Sequence, residues 1–182
     1  MNHPWIVESR EQPWGDYGEI LAFGMTRHLP RTDAGELQLE RTGPFVPPVF
    51  MSGIDDLLVR GPYRRAMEDL GFAGIEFRAV ELARIVELDW QGWDADDDEP
   101  AEYPDSGAPE DYILERPHDP DLTAGIGPVW EVVIPNWRGA EGADLVRGLP
   151  DTGCIYASDR AGQWLKEVAA PWIEVVPNPR LE

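Results

Sequence analysis

Leu57-Leu58-Val59-Arg60-Gly61-Pro62-Tyr63-Arg64-Arg65-Ala66-Met67-Glu68-Asp69-Leu70-Gly71, running on to Gly74-Ile75-Glu76-Phe77-Arg78-Ala79-Val80, is the stretch that decides the fold class. Leu57 to Val59 reads as a short strand. Gly61-Pro62 opens a helix, because proline at the first helical position gives up no intrahelical hydrogen bond. Tyr63, Ala66, Met67 and Leu70 then fall at i, i+3, i+4 and i+7, which predicts one apolar stripe. Gly71 ends the helix as the left-handed residue beyond its C-cap. Gly74 to Val80 alternates and predicts a returning strand.

The same unit recurs 98 residues later without a gap. Ile155-Tyr156-Ala157 is the strand, and Ser158 or Asp159 the N-cap. Ala161, Trp164, Leu165 and Val168 repeat the stripe. Trp172-Ile173-Glu174-Val175-Val176 returns, with Ile173-Glu174 aligned on Ile75-Glu76. One motif used twice, packed on a common sheet, is the architecture this predicts. Helices of about two turns need such packing, being marginal alone.

Around these units, Ile20-Leu21-Ala22-Phe23 and Leu37-Gln38-Leu39-Glu40 read as short strands, with a turn from Pro30 to Gly35. Gly43 to Pro48 is an extended loop, since each proline lacks a donor and fixes its φ. Ala83 to Trp90 reads as a strand with Val86, Leu88 and Trp90 on one face. Val129 to Ile134 is a further strand. Arg138 to Gly148 is a loop or short helix, and Asp151-Thr152-Gly153 a turn. The expectation is a single α+β domain over 1–182 with a mixed or antiparallel sheet. Residues 1–36 form a variable N-terminal segment, and 94–121 a long acidic loop or insertion that projects from the sheet, with one turn near Glu110 to Leu114.

That acidic stretch is the chemical signal. It holds twelve carboxylates and one guanidinium in 28 residues, and so carries −11 of the formal −20. A polyanion is a poor partner for nucleic acid or an anionic membrane, and a good one for a cationic protein. Plain solubility is the competing explanation. Hydrophobic residues at 42% and eight Trp exclude a disordered acidic tail. No apolar run approaches the length of a membrane span. Met1-Asn2-His3-Pro4-Trp5 has neither a basic nor an apolar leader region, so a cytoplasmic setting is expected. Cys154 is the single cysteine, which excludes an internal disulfide and a cysteine cage for metal, and reads as a small core thiol.

Catalytic motifs are missing. There is no His-Glu-x-x-His, Cys-x-x-Cys, Gly-x-Ser-x-Gly or phosphate-cradling glycine loop, and Gly125-Ile126-Gly127 runs into Pro128. His118 sits beside Asp119, which could orient it as a base; a hydrogen-bonded turn is the simpler account. Asp94, Asp96 and Asp98 alternate as calcium ligands do, but Glu99-Pro100 stands where the calcium loop needs glycine. No metal and no cofactor are therefore expected. Trp93, Asp94, Asp96, Asp97, Asp98, Glu99 and Tyr103 are the candidate partner-binding residues, the acids for steering and Trp93 and Tyr103 as apolar anchors. Trp90 reads as either core or interface. Two alternatives stay open. One is an enzyme or small-ligand module with a site between the two strand–helix–strand units, using Glu76, Arg84, His118 and Glu174. The other is a divalent-cation-binding regulator.

Leu39-Glu40-Arg41-Thr42-Gly43-Pro44-Phe45-Val46-Pro47-Pro48, Gly74 to Val80 with Ala83 to Trp90, Pro109-Glu110-Asp111-Tyr112-Ile113-Leu114-Glu115-Arg116-Pro117-His118, and Ala157-Ser158-Asp159-Arg160 through Trp164-Leu165 together resemble the double-CxxCG motif family of bacterial immunity proteins, known from swarming-inhibition systems. The resemblance covers residues 37 to 176. No CxxCG is present, so the metal ribbon of that family has no counterpart here. The resemblance implies a stoichiometric inhibitor, not an enzyme, whose partner is a cognate toxin domain. A basic toxin would suit the acidic segment.

Overall fold

The computed structural model describes residues 3–53, 55–148 and 154–179. In chain order the elements are β1 (Trp5–Ser9), α1 (Asp16–Phe23), β2 (Leu37–Gly43), β3 (Val49–Ser52), β4 (Asp56–Arg60), α2 (Gly61–Asp69), β5 (Glu76–Glu87), α3 (Asp111–Leu114), α4 (Pro120–Ile126), β6 (Val129–Val133), β7 (Leu145–Arg147), β8 (Ile155–Ala157), α5 (Asp159–Ala169) and β9 (Ile173–Pro177). The class is α+β, with antiparallel and parallel strand pairs. The chain divides into two compact units. Met1–Arg10, Pro48–Arg78 and Trp130–Glu182 make unit 1; Glu11–Pro47 and Ala79–Val129 make unit 2.

Both strand–helix–strand units form, and their ends obey local chemistry. Pro62 sits in the first turn of α2. At its far end Gly71 takes φ +64, its N–H reaches the Glu68 carbonyl at 2.9 Å, and the Phe72 N–H reaches that of Met67 at 3.2 Å. That double closure satisfies two carbonyls the helix leaves open. The Ser158 side chain caps α5 by accepting from the Ala161 N–H. The apolar stripe of α5 is deeply buried through Ala161 and Leu165. In α2 the stripe is shorter than its spacing predicts: Met67 is buried, but Leu70, the C-cap residue, is half-exposed.

The common sheet does not exist. β4 lies between β3 and β6, whereas β8 and β9 flank β1 in a separate four-stranded sheet of order β7-β8-β1-β9. What the two motifs share is a core. Leu57, Val59 and Met67 of the first and Ile155, Ala157, Leu165 and Ile173 of the second belong to one buried cluster in unit 1. β1 is the strand the composition of the N-terminal segment conceals. It pairs antiparallel with both neighbours, setting Val7 opposite Ile155 and Val175. β3, also unforeseen, pairs antiparallel with β4 from Val49↔Val59 to Ser52↔Asp56.

Several local expectations fail for identifiable reasons. Ile20 to Phe23 is the end of a helix, not a strand. A short apolar run fits either period, and here Leu21, Ala22 and Phe23 are all buried. Gly15 and Gly24, at φ +60 and +68, bracket the helix. The strands read at 74–80 and 83–90 are one strand, β5, uninterrupted across Glu81, with Trp90 beyond it in a single 3-10 turn. The stretch 138–148 contains β7. Cys154 is half-buried beside the Ala143–Val146–Tyr156 cluster rather than within a core. The turn read at Asp151-Thr152-Gly153 lies outside the described residues. Among the described residues, no helix is long and apolar enough to cross a membrane.

In unit 2, β2 and β5 pair in parallel from Leu37↔Val80 to Gly43↔Glu87, with an irregularity after Leu39. The Thr42 hydroxyl donates to the Leu21 carbonyl at 2.9 Å, which ties α1 to β2. α3 supplies the turn expected near Glu110; the end of the acidic stretch is not loop but the helix α4, started by the Asp119 side chain, which accepts from the Leu122 N–H.

An acidic surface clamped by aromatic rings

Pro13-Trp14-Gly15-Asp16-Tyr17 makes the entry to α1, and it builds the site. Trp14 is the described non-glycine residue with positive φ, at +66. For a bulky side chain that conformation costs about 1–2 kcal/mol and persists only where its surroundings enforce it. Here it aims the indole at the acidic segment. Trp14 Nε1 donates to the Asp97 carbonyl at 2.9 Å, and the ring packs on Trp93 with centroids 5.8 Å apart. Trp93 also meets Tyr112 at 6.2 Å. In the first turn of α1, the Tyr17 hydroxyl donates to the Gly107 carbonyl. The Tyr17 ring lies edge-on to Tyr103 and Tyr112 at 5.0 and 5.9 Å.

The segment is therefore laid onto α1 at two points rather than projecting as a free loop. Its far side is also tied. The Tyr112 hydroxyl donates to the Glu102 carbonyl, and Arg116 pairs with the Glu102 carboxylate. Burial, reinforced by the Glu102 carboxylate, pushes the Tyr112 hydroxyl up to about 12. It remains a neutral donor at any physiological pH.

The acids themselves face water. Asp94, Asp96, Asp97, Asp98 and Glu99 are all exposed, and among the described residues none of them pairs with an Arg or Lys. Asp94 accepts from the Asp96 N–H at 3.0 Å and the Asp97 N–H closes on the Asp94 carbonyl, so a tight turn spaces the carboxylates. Of the two expected anchors, Trp93 faces inward and holds the segment. Tyr103 is 45% exposed, and burial followed by Glu99 raises its hydroxyl. Sequence reasoning missed α1's share of the surface. Asp16 and Glu19 on α1, and Glu11 before it, are exposed in the same unit, and burial, then Asp16 and Glu11, raise the Glu19 carboxyl. The Trp14-Gly15 pair beside Asp16 was the available signal.

Trp14→Ala should free the segment without unfolding the chain. Amides of residues 94–99 are expected to exchange about tenfold faster while those of α5 keep their rates, a loss of about 1.4 kcal/mol of local protection. Unchanged exchange at 94–99 would show that the segment holds itself.

The residues of the enzymatic alternative are not gathered. Glu76 and Glu174 are exposed on β5 and β9, strands of different sheets. No hydrogen bond or ion pair joins them among the described residues. Arg84 reaches Glu40 at 3.6 Å and the Arg116 carbonyl at 3.2 Å. His118 accepts from the Ile85 N–H, while Asp119 caps α4 through the Leu122 N–H at 2.8 Å and does not orient the imidazole. Trp90 donates to the Thr42 hydroxyl at 3.1 Å and lies edge-on to Phe45, a structural role. Among the described residues, no group of three or more His, Cys, Asp or Glu side chains is arranged to hold a metal ion. Compared with protein-family models, curated proteins and solved structures, the chain matches none.

Proposed function

We propose that this chain acts by binding: it is an immunity protein that neutralises a cognate basic toxin domain in the cytoplasm, one to one, through its acidic surface. The observation that supports this reading is the run Asp94 to Glu99, whose carboxylates stand in water on a segment bonded to Trp14 and Tyr17. Fixed charge serves binding in two ways. It steers a cationic partner from a distance. It also leaves little loop entropy to lose on contact. The resemblance of residues 37 to 176 to immunity proteins points to a toxin as that partner.

Tagged protein should capture a basic toxin domain from host lysate at low salt and release it as salt rises. With that domain purified, the variant Asp94→Asn, Asp96→Asn, Asp97→Asn, Asp98→Asn, Glu99→Gln should associate about tenfold more slowly and lose most of its salt dependence. An unchanged association rate would refute the role given to these acids. Recovery of a bound metabolite instead of a protein would favour the small-ligand alternative.

A further inference from the structure

Ile85 is fully buried in β5 and faces β2 across from Arg41. Its own amide group is satisfied by the segment that leaves the acidic stretch. The Asp119 N–H donates to the Ile85 carbonyl at 2.8 Å, as a neighbouring strand would. The Ile85 N–H, however, donates to the imidazole Nδ1 of His118 at 3.0 Å. A side chain stands where a strand carbonyl would stand. Unlike a carbonyl, this acceptor is abolished by a single proton.

We propose that His118 is a pH-operated latch on β5: its neutral ring completes the strand edge at Ile85, and protonation opens that edge. The geometry fixes the neutral tautomer with its hydrogen on Nε2. Adding the second proton sets two N–H groups against each other and orphans a buried backbone donor, which costs about 1–3 kcal/mol. The charged groups around the ring come from each side. Glu87, Arg116 and Asp119 line one open groove of about 530 Å³ with His118, and Arg84 donates to the Arg116 carbonyl. Arg84 is itself paired with the Glu40 carboxylate at 3.6 Å, and the group bonded directly to Nδ1 is the Ile85 N–H. The latch joins α4 to the parallel pair. A Cβ at Gly43 would lie 3.1 Å from Leu122 and 3.3 Å from Ile85, so these parts are already close-packed. Acidification should therefore loosen the end of the acidic segment, whatever partner that segment meets.

The test follows amide exchange at Ile85 by NMR. Protection, corrected for the intrinsic rate, should fall about tenfold between a pH at which the ring is neutral and one at which it carries both protons, each fixed by the ring 15N shifts of the same sample. His118→Asn, whose Oδ1 takes the place of Nδ1, should show no such fall. His118→Phe should be weakly protected at both values. Ring 15N shifts of the unaltered protein at neutral pH supply an independent reading, with the proton expected on Nε2. Flat protection at Ile85 across the imidazole titration, or a proton on Nδ1 at neutral pH, would overturn the latch.

Discussion

Arg41→Ala should destabilise the protein by about 3–5 kcal/mol, the scale of stranding buried polar groups and opening a core cavity at once. Arg41 is the largest side chain with no exposure at all. It lies in β2, where Nε donates to the Thr42 carbonyl at 2.8 Å and one terminal nitrogen to the Phe45 carbonyl at 2.7 Å. The chain closes directly over it. A Cβ added at Gly24 would lie 2.5 Å from the Arg41 Cβ, and Gly24 holds φ +68. Arg41→Lys keeps the charge but replaces a planar fork with a point donor, so it should recover only part of the loss. Urea unfolding of the three proteins at neutral pH measures this. A loss below about 1 kcal/mol for the alanine variant would mean that the guanidinium is dispensable to unit 2.

Asp144→Ala should cost about 2–4 kcal/mol, and should flatten the acid limb of the stability curve. The carboxylate is 4% exposed and joins three pieces of unit 1. It accepts from the Ala73 N–H just beyond α2 at 2.7 Å, from the Ser158 hydroxyl at 2.6 Å, and from Arg160 Nε at 2.7 Å. Arg160 in turn donates to the Leu70 and Gly71 carbonyls at the end of α2. Half-exposed Arg160 can recover water when the partner goes, which keeps the loss below that of a fully buried pair. Burial alone would raise the Asp144 carboxyl, but the hydrogen bonds from Arg160, Ser158 and Ala73 outweigh it and hold the group at about 2. A depressed carboxyl binds its proton more tightly in the unfolded chain. Its contribution is therefore complete above about pH 4 and lost as pH falls toward about 2. Urea midpoints taken down this range should drop less in Asp144→Asn than in the unaltered protein. Parallel curves would remove Asp144 from the acid response.

How much of this was legible beforehand depends on the range of the interaction involved. Pro62, Gly71 and Ser158 act within one helical turn, and the ends they set can be read from their neighbours alone. Met67, Ala161 and Leu165 follow from spacing. Strand β1 could not be read, because Trp5 to Ser9 carries no decisive alternation and becomes a strand only by lying between β8 and β9. The helix at Asp16 to Phe23 has the same cause: a short apolar run takes the form its neighbours can bury. Trp93 was found as an aromatic beside the acids, but its direction depends on Trp14, 79 positions away.

Periodicity, capping and charge are properties of neighbouring residues, and they suffice for the α+β class, the two strand–helix–strand units and the concentration of negative charge between Asp94 and Asp121. Tertiary contact gives the two strand–helix–strand motifs a shared core rather than a shared sheet. It also clamps the acidic segment at the entry to α1 and lets Asp144 and His118 hold backbone groups far from their own positions. Each of these rests on a donor meeting an acceptor, or a ring meeting a ring, across a separation that no local pattern encodes.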